Sequence, residues 1–152
     1  MFALLALSLC SCSDTDSTTD QGHGSASGGS YSTTLGDYDV VIESCRLATD
    51  YEGAPIVIVK YKFTNNGDEP ASFMWSLEYD ASQGGIGLTE CYVADDSSNY
   101  SSDDQQKEIK KGASLYVEVA YELNDTETDV EIEVSELISF SDKKITKTVS
   151  IK

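Results

Sequence analysis

The chain has 152 residues, of which 10 are Lys or Arg and 27 are Asp or Glu, so its formal net charge is −17. We therefore expect no nucleic acid partner, because phosphate binding needs a basic face that releases counterions. The same charge argues against attraction to an anionic membrane surface, and no apolar run reaches the roughly 18 residues that a spanning helix needs. The composition, 39% hydrophobic and 24% charged, is typical of a globular domain.

Residues 1–12 are uncharged and largely apolar, which is typical of a targeting segment. Their end, Leu9-Cys10-Ser11-Cys12, resembles the lipobox of bacterial lipoproteins, in which a signal peptidase cleaves before a Cys that carries diacylglycerol. The resemblance places the lipid on Cys12, because the small Ser11 precedes it, whereas the bulky Leu9 precedes Cys10. Acyl chains on Cys12 would bind the membrane. The alternative is an ordinary secretory signal, in which neither cysteine has a function.

Residues 13–36 are almost entirely Ser, Thr, Gly and Asp, with too few apolar side chains to offset the entropy of ordering. This composition predicts a flexible spacer with a root-mean-square length of about 25 to 30 Å. His23, the single histidine of the chain, lies in the spacer. A catalytic or metal-binding histidine needs rigid neighbours, so we interpret His23 as a solvated spacer residue.

From residue 37 onward, apolar and polar residues alternate, which is the period of half-buried β-strands. The predicted strands are residues 37–47, 55–64, 73–79, 86–93, 115–123, 130–134 and 145–151. The first changes phase near Glu43 and Ser44, which indicates a β-bulge. In the third, the predicted inward side chains are Phe73, Trp75, Leu77 and Tyr79. A short helix is predicted only at residues 103–110.

The number and spacing of these strands predict the fold class. In the second strand, Lys60 and Lys62 point outward between apolar inward residues, and Gly, Asn, Asp or Ser residues stand in the intervening turns. About seven short strands predict an all-β domain, an immunoglobulin-like antiparallel β-sandwich. The chain is thus divided into a lipoprotein signal segment at residues 1–12, a spacer at 13–36 and a β-sandwich domain at 37–152.

Four sequence motifs resemble a family of immunoglobulin-like domains in surface lipoproteins of Gram-positive bacteria. They are G-D-Y-D-V-x-I at Gly36 to Ile42, D-Y-E-G-x-P-x-x-x-V-x-Y-x-F-T-N-N at Asp50 to Asn66, I-K-K-G-A-S at Ile109 to Ser114 leading into V-x-V-A-Y-E-L at Val117 to Leu123, and E-L-x-S-F-S-D at Glu136 to Asp142. The family has no assigned activity and is similar to the telokin-like sandwich of secreted bacterial antigens. The resemblance implies a sandwich fold and an extracytoplasmic, lipid-anchored location on the outer face of the cell membrane. It implies no catalytic residues.

Cys45 and Cys91 lie in different predicted strands, and an exported chain can form disulfides. A bond between them would close a loop of about 46 residues and contribute roughly 4 kcal/mol in the chain-entropy model. Two separate buried thiols are the alternative, since the sequence shows neither adjacency of the cysteines nor an oxidising environment, so the disulfide remains open at this point.

An acidic segment from Asp95 to Asp104 is a candidate calcium loop. Its oxygen-bearing side chains alternate as they do in calcium loops, at Asp95, Ser97, Asn99, Ser101 and Asp103. However, Tyr100 stands where a helix-loop-helix calcium site needs Gly. A solvated acidic loop is the simpler interpretation, so we expect no cofactor and keep calcium as an alternative.

These observations predict a non-enzymatic recognition or envelope-associated module. The sequence has neither a nucleophile motif nor a Gly-rich phosphate loop after a strand. We expect a monomer that binds the membrane through a lipid on Cys12 and recognises an unidentified protein or glycan. One alternative is a calcium-dependent adhesion domain. The other is a glycan-binding accessory protein that uses tyrosines outside the core, for which the candidates are Tyr51, Tyr92, Tyr100 and Tyr116.

Overall fold

A computed structural model describes residues 33–93 and 100–152. In chain order, the strands are β1 (Thr33–Leu35), β2 (Tyr38–Thr49), β3 (Pro55–Asn65), β4 (Leu77–Gln83), β5 (Ile86–Gly87), β6 (Ser114–Glu122), β7 (Val130–Glu136) and β8 (Lys144–Val149). One sheet has the order β1-β2-β3-β6 and the other the order β5-β4-β7-β8, and all neighbouring strands are antiparallel.

Two helical turns interrupt the strands. Helix α1 spans Phe73–Ser76, and a 3₁₀ helix spans Asp103–Gln106, within the segment predicted to be helical. Within residues 33–93 and 100–152, no helix has the length and apolar character needed to cross a bilayer.

The hydrophobic core lies between the two sheets. Alternate residues of each strand are buried there, as the period of two predicted, for example Val57, Val59, Tyr61 and Phe63 of β3 and Val130, Ile132 and Val134 of β7. Phe73 packs between the sheets, with its ring centroid 5.1 Å from that of Tyr61 and 4.7 Å from that of Tyr79. The all-β sandwich prediction is confirmed, with eight strands in place of about seven.

The predicted bulge in β2 is also present. The pairing between β2 and β3 shifts register between Ile42 and Ser44. One extra residue here reverses which side chains face inward, so that both Val40 and Cys45 are buried in the core.

Two predicted strands and one predicted boundary need correction. Residues 73–76 form a helical turn, in which side chains two positions apart point in opposite directions, so Phe73 is buried while Trp75 is 72% exposed. Of residues 86–93, only Ile86–Gly87 form a strand. The fold begins by Thr33, not at residue 37, because the strand containing the buried Leu35 pairs with β2.

Residues 88–93 and 100–106, which we call the cover segment, leave the second sheet and continue over the first. Thr89 O and Cys91 N bond to Glu122 N and Ala120 O of β6, both at 2.9 Å. Val93, Cys91 and Tyr100 then pack on an apolar patch of the outer face of this sheet, formed by Ile56, Ile58 and Ala120. This contact explains why β3 has apolar residues on both faces at its start.

Candidate binding face on the first sheet

The outer face of the first sheet is only partly covered, and its uncovered part carries charged and aromatic side chains. Lys60 and Lys62 of β3 lie there because they alternate with the buried residues of that strand. In the β3–β6 register, Lys60 is opposite Glu118 and Lys62 is opposite Tyr116. Arg46 of β2 contributes the fifth side chain. We call these five residues the basic face.

The Tyr116 ring is the centre of the basic face. Lys60 Nζ lies 4.8 Å from the centroid of this ring, and Lys62 Nζ lies 6.0 Å from it. Both distances are within the range of a cation–π interaction, which holds the ammonium groups beside the ring. Tyr116 is nevertheless 49% exposed, so a ligand can still contact it.

Arg46 and Glu118 form an ion pair that crosses β3. Both guanidinium nitrogens donate to the carboxylate, with Nη2 at 3.1 Å from Oε2 and Nη1 in closer contact with Oε1. A bidentate pair fixes the plane of the guanidinium. The Glu118 side chain is 17% exposed and that of Arg46 is 38% exposed, so the arginine keeps the larger solvent-facing surface. Three cations and one anion give the basic face a formal charge of +2, whereas the whole chain has −17.

The cover segment borders the basic face beside Glu118. The buried Gln105 donates its side-chain amide to Glu118 O at 2.7 Å and to Tyr100 Oη at 3.4 Å. Burial, and next the charge of Glu90, raise the pKa of Tyr100 to about 12, so its hydroxyl stays neutral. Burial also raises the pKa of Glu90, and a hydrogen bond from Gln105 opposes this shift.

The outer face of the second sheet has the opposite sign. A depression of about 220 Å³ on this sheet is lined by Asp80, Glu131 and Glu133, among others. Asp80 and Glu133 are directly opposite in the β4–β7 register, and like charges in this position repel. The two sheets therefore present chemically different surfaces.

The candidate lipidation and calcium residues are mostly beyond the part of the chain that the structure describes. Cys12 and the spacer residue His23 lie outside it, as do Asp95, Ser97 and Asn99. Asp103 is at the start of the 3₁₀ helix. Among the described residues, no group of three or more His, Cys, Asp or Glu side chains could hold a metal ion. The calcium loop and the lipid on Cys12 therefore remain predictions.

Cys45 and Cys91 lie on opposite faces of the first sheet. Cys45 belongs to the core between the sheets, whereas Cys91 belongs to the cover segment and packs on the outer face. A disulfide needs Cβ atoms about 3.8 Å apart that point towards each other. The structure accordingly has no bond between the two cysteines, which is the second of the two possibilities that the sequence left open. Burial, the largest influence, raises the pKa of the Cys91 thiol to about 11.

The four candidate tyrosines do not form one surface. Tyr51 lies in the β2–β3 turn, Tyr92 and Tyr100 belong to the cover segment, and Tyr116 is in β6. Only Tyr116 stands among cations. The outward position of Lys60 and Lys62 was predictable from their strand, but the role of Arg46 was missed. Its partner Glu118 is 72 positions away in the sequence, so only strand pairing brings them together.

The chain is therefore an antiparallel β-sandwich domain with one mixed basic and aromatic outer face. A family model described as a domain of unknown function (DUF5067) matches residues 13–136, and the chain belongs to this family. The match includes the whole predicted spacer and the sandwich through β7. None of the curated proteins matches the chain.

Three solved structures show the same fold. A Staphylococcus aureus protein described as "a putative lipoprotein" is 16% identical, with a TM-score of 0.57, over 76% of this chain and 84% of that chain. The yjhA protein of Bacillus subtilis is 7% identical, with a TM-score of 0.55, over 79% and 96% of the two chains. A functionally unknown Listeria monocytogenes protein is 10% identical, with a TM-score of 0.54, over 81% and 82%. At these identities the likeness shows the fold alone.

Proposed function

We propose that this chain is a lipid-anchored, non-enzymatic recognition module with an immunoglobulin-like fold, located outside the bacterial cell membrane. The lipobox at Cys12 and the description of the Staphylococcus aureus relative support the anchor. The two-sheet sandwich supports a scaffold that presents one face to a ligand. An anchored chain places this face beside other components of the cell envelope.

The ligand is an anionic polymer or an acidic segment of a partner, and it binds the basic face. The observation that carries this proposal is the position of Lys60 and Lys62 beside the Tyr116 ring, with the Arg46–Glu118 pair on the same face, in a chain with only 10 basic residues. Repulsion from distant carboxylates falls off over about 8 Å at physiological ionic strength, so an anion in contact with this face experiences mainly its local charge. Arg46 is already held by Glu118, so Lys60 and Lys62 are the cations that a carboxylate or phosphate group would meet beside Tyr116.

The position of the lysines favours an acidic ligand over a neutral sugar. Neutral sugars stack on an open aromatic ring, but Lys60 and Lys62 lie beside the ring of Tyr116. A carboxylate or phosphate group bound between the ammonium groups would replace their contact with the ring. An acidic glycan has both a sugar ring that can contact Tyr116 and a negative charge that can pair with the lysines. A glycan-binding accessory role is therefore included in this proposal.

Binding of a synthetic poly(glycerol phosphate) to the full chain, measured by isothermal titration calorimetry, tests this proposal. We expect binding that weakens as the salt concentration rises. The double substitution Lys60→Ala and Lys62→Ala removes two cations from the binding face, so it should lower the affinity about tenfold or more, which corresponds to about 1.4 kcal/mol. Neutral dextran of equal length is the ligand control.

The matched control variant is Lys110→Ala, because Lys110 is exposed and lies in the connection before β6, outside the strands that carry the basic face. It removes one positive charge from the same protein and should leave affinity within about twofold. Equal losses for the two variants, or binding of dextran as tight as that of the polyanion, would refute the proposal. The mass of the amino-terminal peptide of cell-derived protein tests the anchor separately, because acylation adds a defined mass to Cys12.

A further inference from the structure

Four large apolar side chains are exposed at one end of the sandwich. Trp75 is 72% exposed and Ile138 is 85% exposed, and Leu137 and Phe140 are also exposed. We call this group the apolar tip. Monomeric soluble proteins rarely expose a contiguous patch of such residues unless it binds a partner or a membrane.

The apolar tip combines two connections that are adjacent in space. Trp75 belongs to α1, just before β4, and the other three residues belong to the β7–β8 connection. Leu137 N donates to Ser76 O at 3.1 Å, and Leu77 is paired with Glu136 at the adjoining end of the sheet. Trp75 therefore stands next to the β7–β8 connection.

The β7–β8 connection holds its own shape. Ser141 N donates to Ser139 Oγ at 3.0 Å, and Lys143 N donates to Ser141 Oγ at 3.3 Å. These local hydrogen bonds use the two serines that stand on either side of Phe140. The exposed apolar side chains therefore extend from a defined turn.

The apolar tip also differs from the rest of the chain in charge. Residues 137–143, which connect β7 to β8, contain one acidic residue and one lysine, a formal charge of zero in a chain of −17. Lys144 Nζ pairs with Glu133 at 2.8 Å, and the neighbouring Lys143 is exposed. Exposed apolar side chains next to lysines are the combination found where proteins bind the interface of a bilayer.

We propose that the apolar tip inserts into the interfacial region of the phospholipid bilayer to which the chain is anchored. This inference rests on the proposed anchor at Cys12. Twenty residues, 13–32, separate Cys12 from β1, and a Gly/Ser-type coil of that length spans about 25 Å. The anchor would keep the domain at a high effective concentration near lipid, so a weak interfacial affinity is sufficient.

The net charge of the chain does not prevent this contact. Its carboxylates repel an anionic bilayer as a whole, but the screening length of about 8 Å limits repulsion to groups near the surface. The β7–β8 connection, which would approach lipid first, has three exposed apolar side chains, one acidic residue (Asp142) and one lysine (Lys143).

Trp75 is the single tryptophan of the chain, so its fluorescence reports the apolar tip directly. The test uses the full chain carrying Cys12→Ser, mixed with vesicles of phosphatidylcholine and phosphatidylglycerol in a 3:1 ratio. We expect the Trp75 emission to shift to the blue and to be quenched by lipids brominated near the headgroup. An unchanged spectrum at saturating lipid would refute insertion.

A pair of matched double variants makes the test specific. Replacing Ile138 and Phe140 with Ser should lower the partition coefficient more than about tenfold, because it removes two apolar side chains from the inserted surface. Replacing Ile86 and Tyr92 with Ser removes two exposed apolar residues elsewhere and should leave partitioning unchanged. All four sites are exposed, and equal melting temperatures would verify that both variants fold.

Two outcomes separate this inference from its alternatives. The chain could form a dimer in solution that the Ile138 and Phe140 substitutions dissociate, and fail to bind vesicles. This result would assign the apolar tip to a contact with a second copy of the chain and would overturn the proposal. Cell-derived protein without an acyl group on Cys12 would refute the anchor, while the Trp75 signal of the unacylated chain would still decide whether the tip inserts. The failures of the two proposals are therefore distinguishable.

Discussion

At the scale of single residues, one buried amide organises the end of the sandwich near the apolar tip. Asn65 is fully buried at the end of β3, and both the nitrogen and the oxygen of its side-chain amide form hydrogen bonds. Its Nδ2 donates to Glu69 O at 2.8 Å and to Ile109 O at 2.9 Å, and its Oδ1 accepts from Gly67 N at 2.9 Å. Three backbone groups of two connections thus depend on one side chain.

We expect Asn65→Ala to lower the free energy of unfolding by about 2 to 4 kcal/mol, because it removes three hydrogen bonds made by a fully buried side chain. Urea denaturation measures this change. The matched control is Asn66→Ala, at an exposed neighbour whose side chain donates to Asp39, which should cost less than about 1 kcal/mol. Equal costs would show that burial of Asn65 is unimportant.

Glu90 provides a prediction on pH. Burial raises the pKa of Glu90, so the folded state favours the protonated carboxyl. The protonated carboxyl contributes to stability below the unfolded pKa of 4.5, and this contribution is lost as pH rises through the folded pKa. Glu90→Gln should therefore increase stability at pH 7, by less than about 1 kcal/mol because solvent screens this partly exposed group. The gain should disappear at pH 4. A variant less stable than the parent at pH 7 would contradict this sign.

At the scale of elements, the cover segment is the part of the fold that period-two patterns describe least well. It continues from β5 past the edge of β6 and protects the apolar outer patch at Ile56, Ile58 and Ala120. Alternation in β3 indicates which residues share a face, but it does not indicate that a distant segment buries part of the outer face. The covered part and the basic face are therefore two halves of one surface.

We expect Val93→Asp to release the cover segment, because a carboxylate cannot be buried against this apolar patch without a large cost in free energy. Limited proteolysis should then cleave first within residues 88–106, while strands of the second sheet keep their hydrogen-exchange protection. Tyr92→Asp is the control, since Tyr92 is exposed one position away. Cleavage at the same rate in both variants would contradict the proposed packing.

At the scale of the whole molecule, the first sheet lies between Cys45 and Cys91, for which the sequence alone left a disulfide open. We expect a chain with Cys10→Ser and Cys12→Ser to retain two thiols after air oxidation, because Cys45 and Cys91 face away from each other across the sheet. Its melting temperature should not change when reductant is added. A peptide linking Cys45 to Cys91 in a non-reducing digest would contradict this arrangement.

The amino-acid sequence by itself determined the strands, the bulge in β2 and the sandwich, because burial of one face of a strand leaves a local period of two. It did not determine that Trp75 leaves the core, since a single helical turn changes side-chain direction without changing composition. Only the tertiary structure paired Arg46 with Glu118, grouped the lysines around Tyr116 and placed Trp75 beside the β7–β8 connection. These contacts join residues far apart in the chain, and their formation depends on strand register and sheet order, which no local pattern specifies.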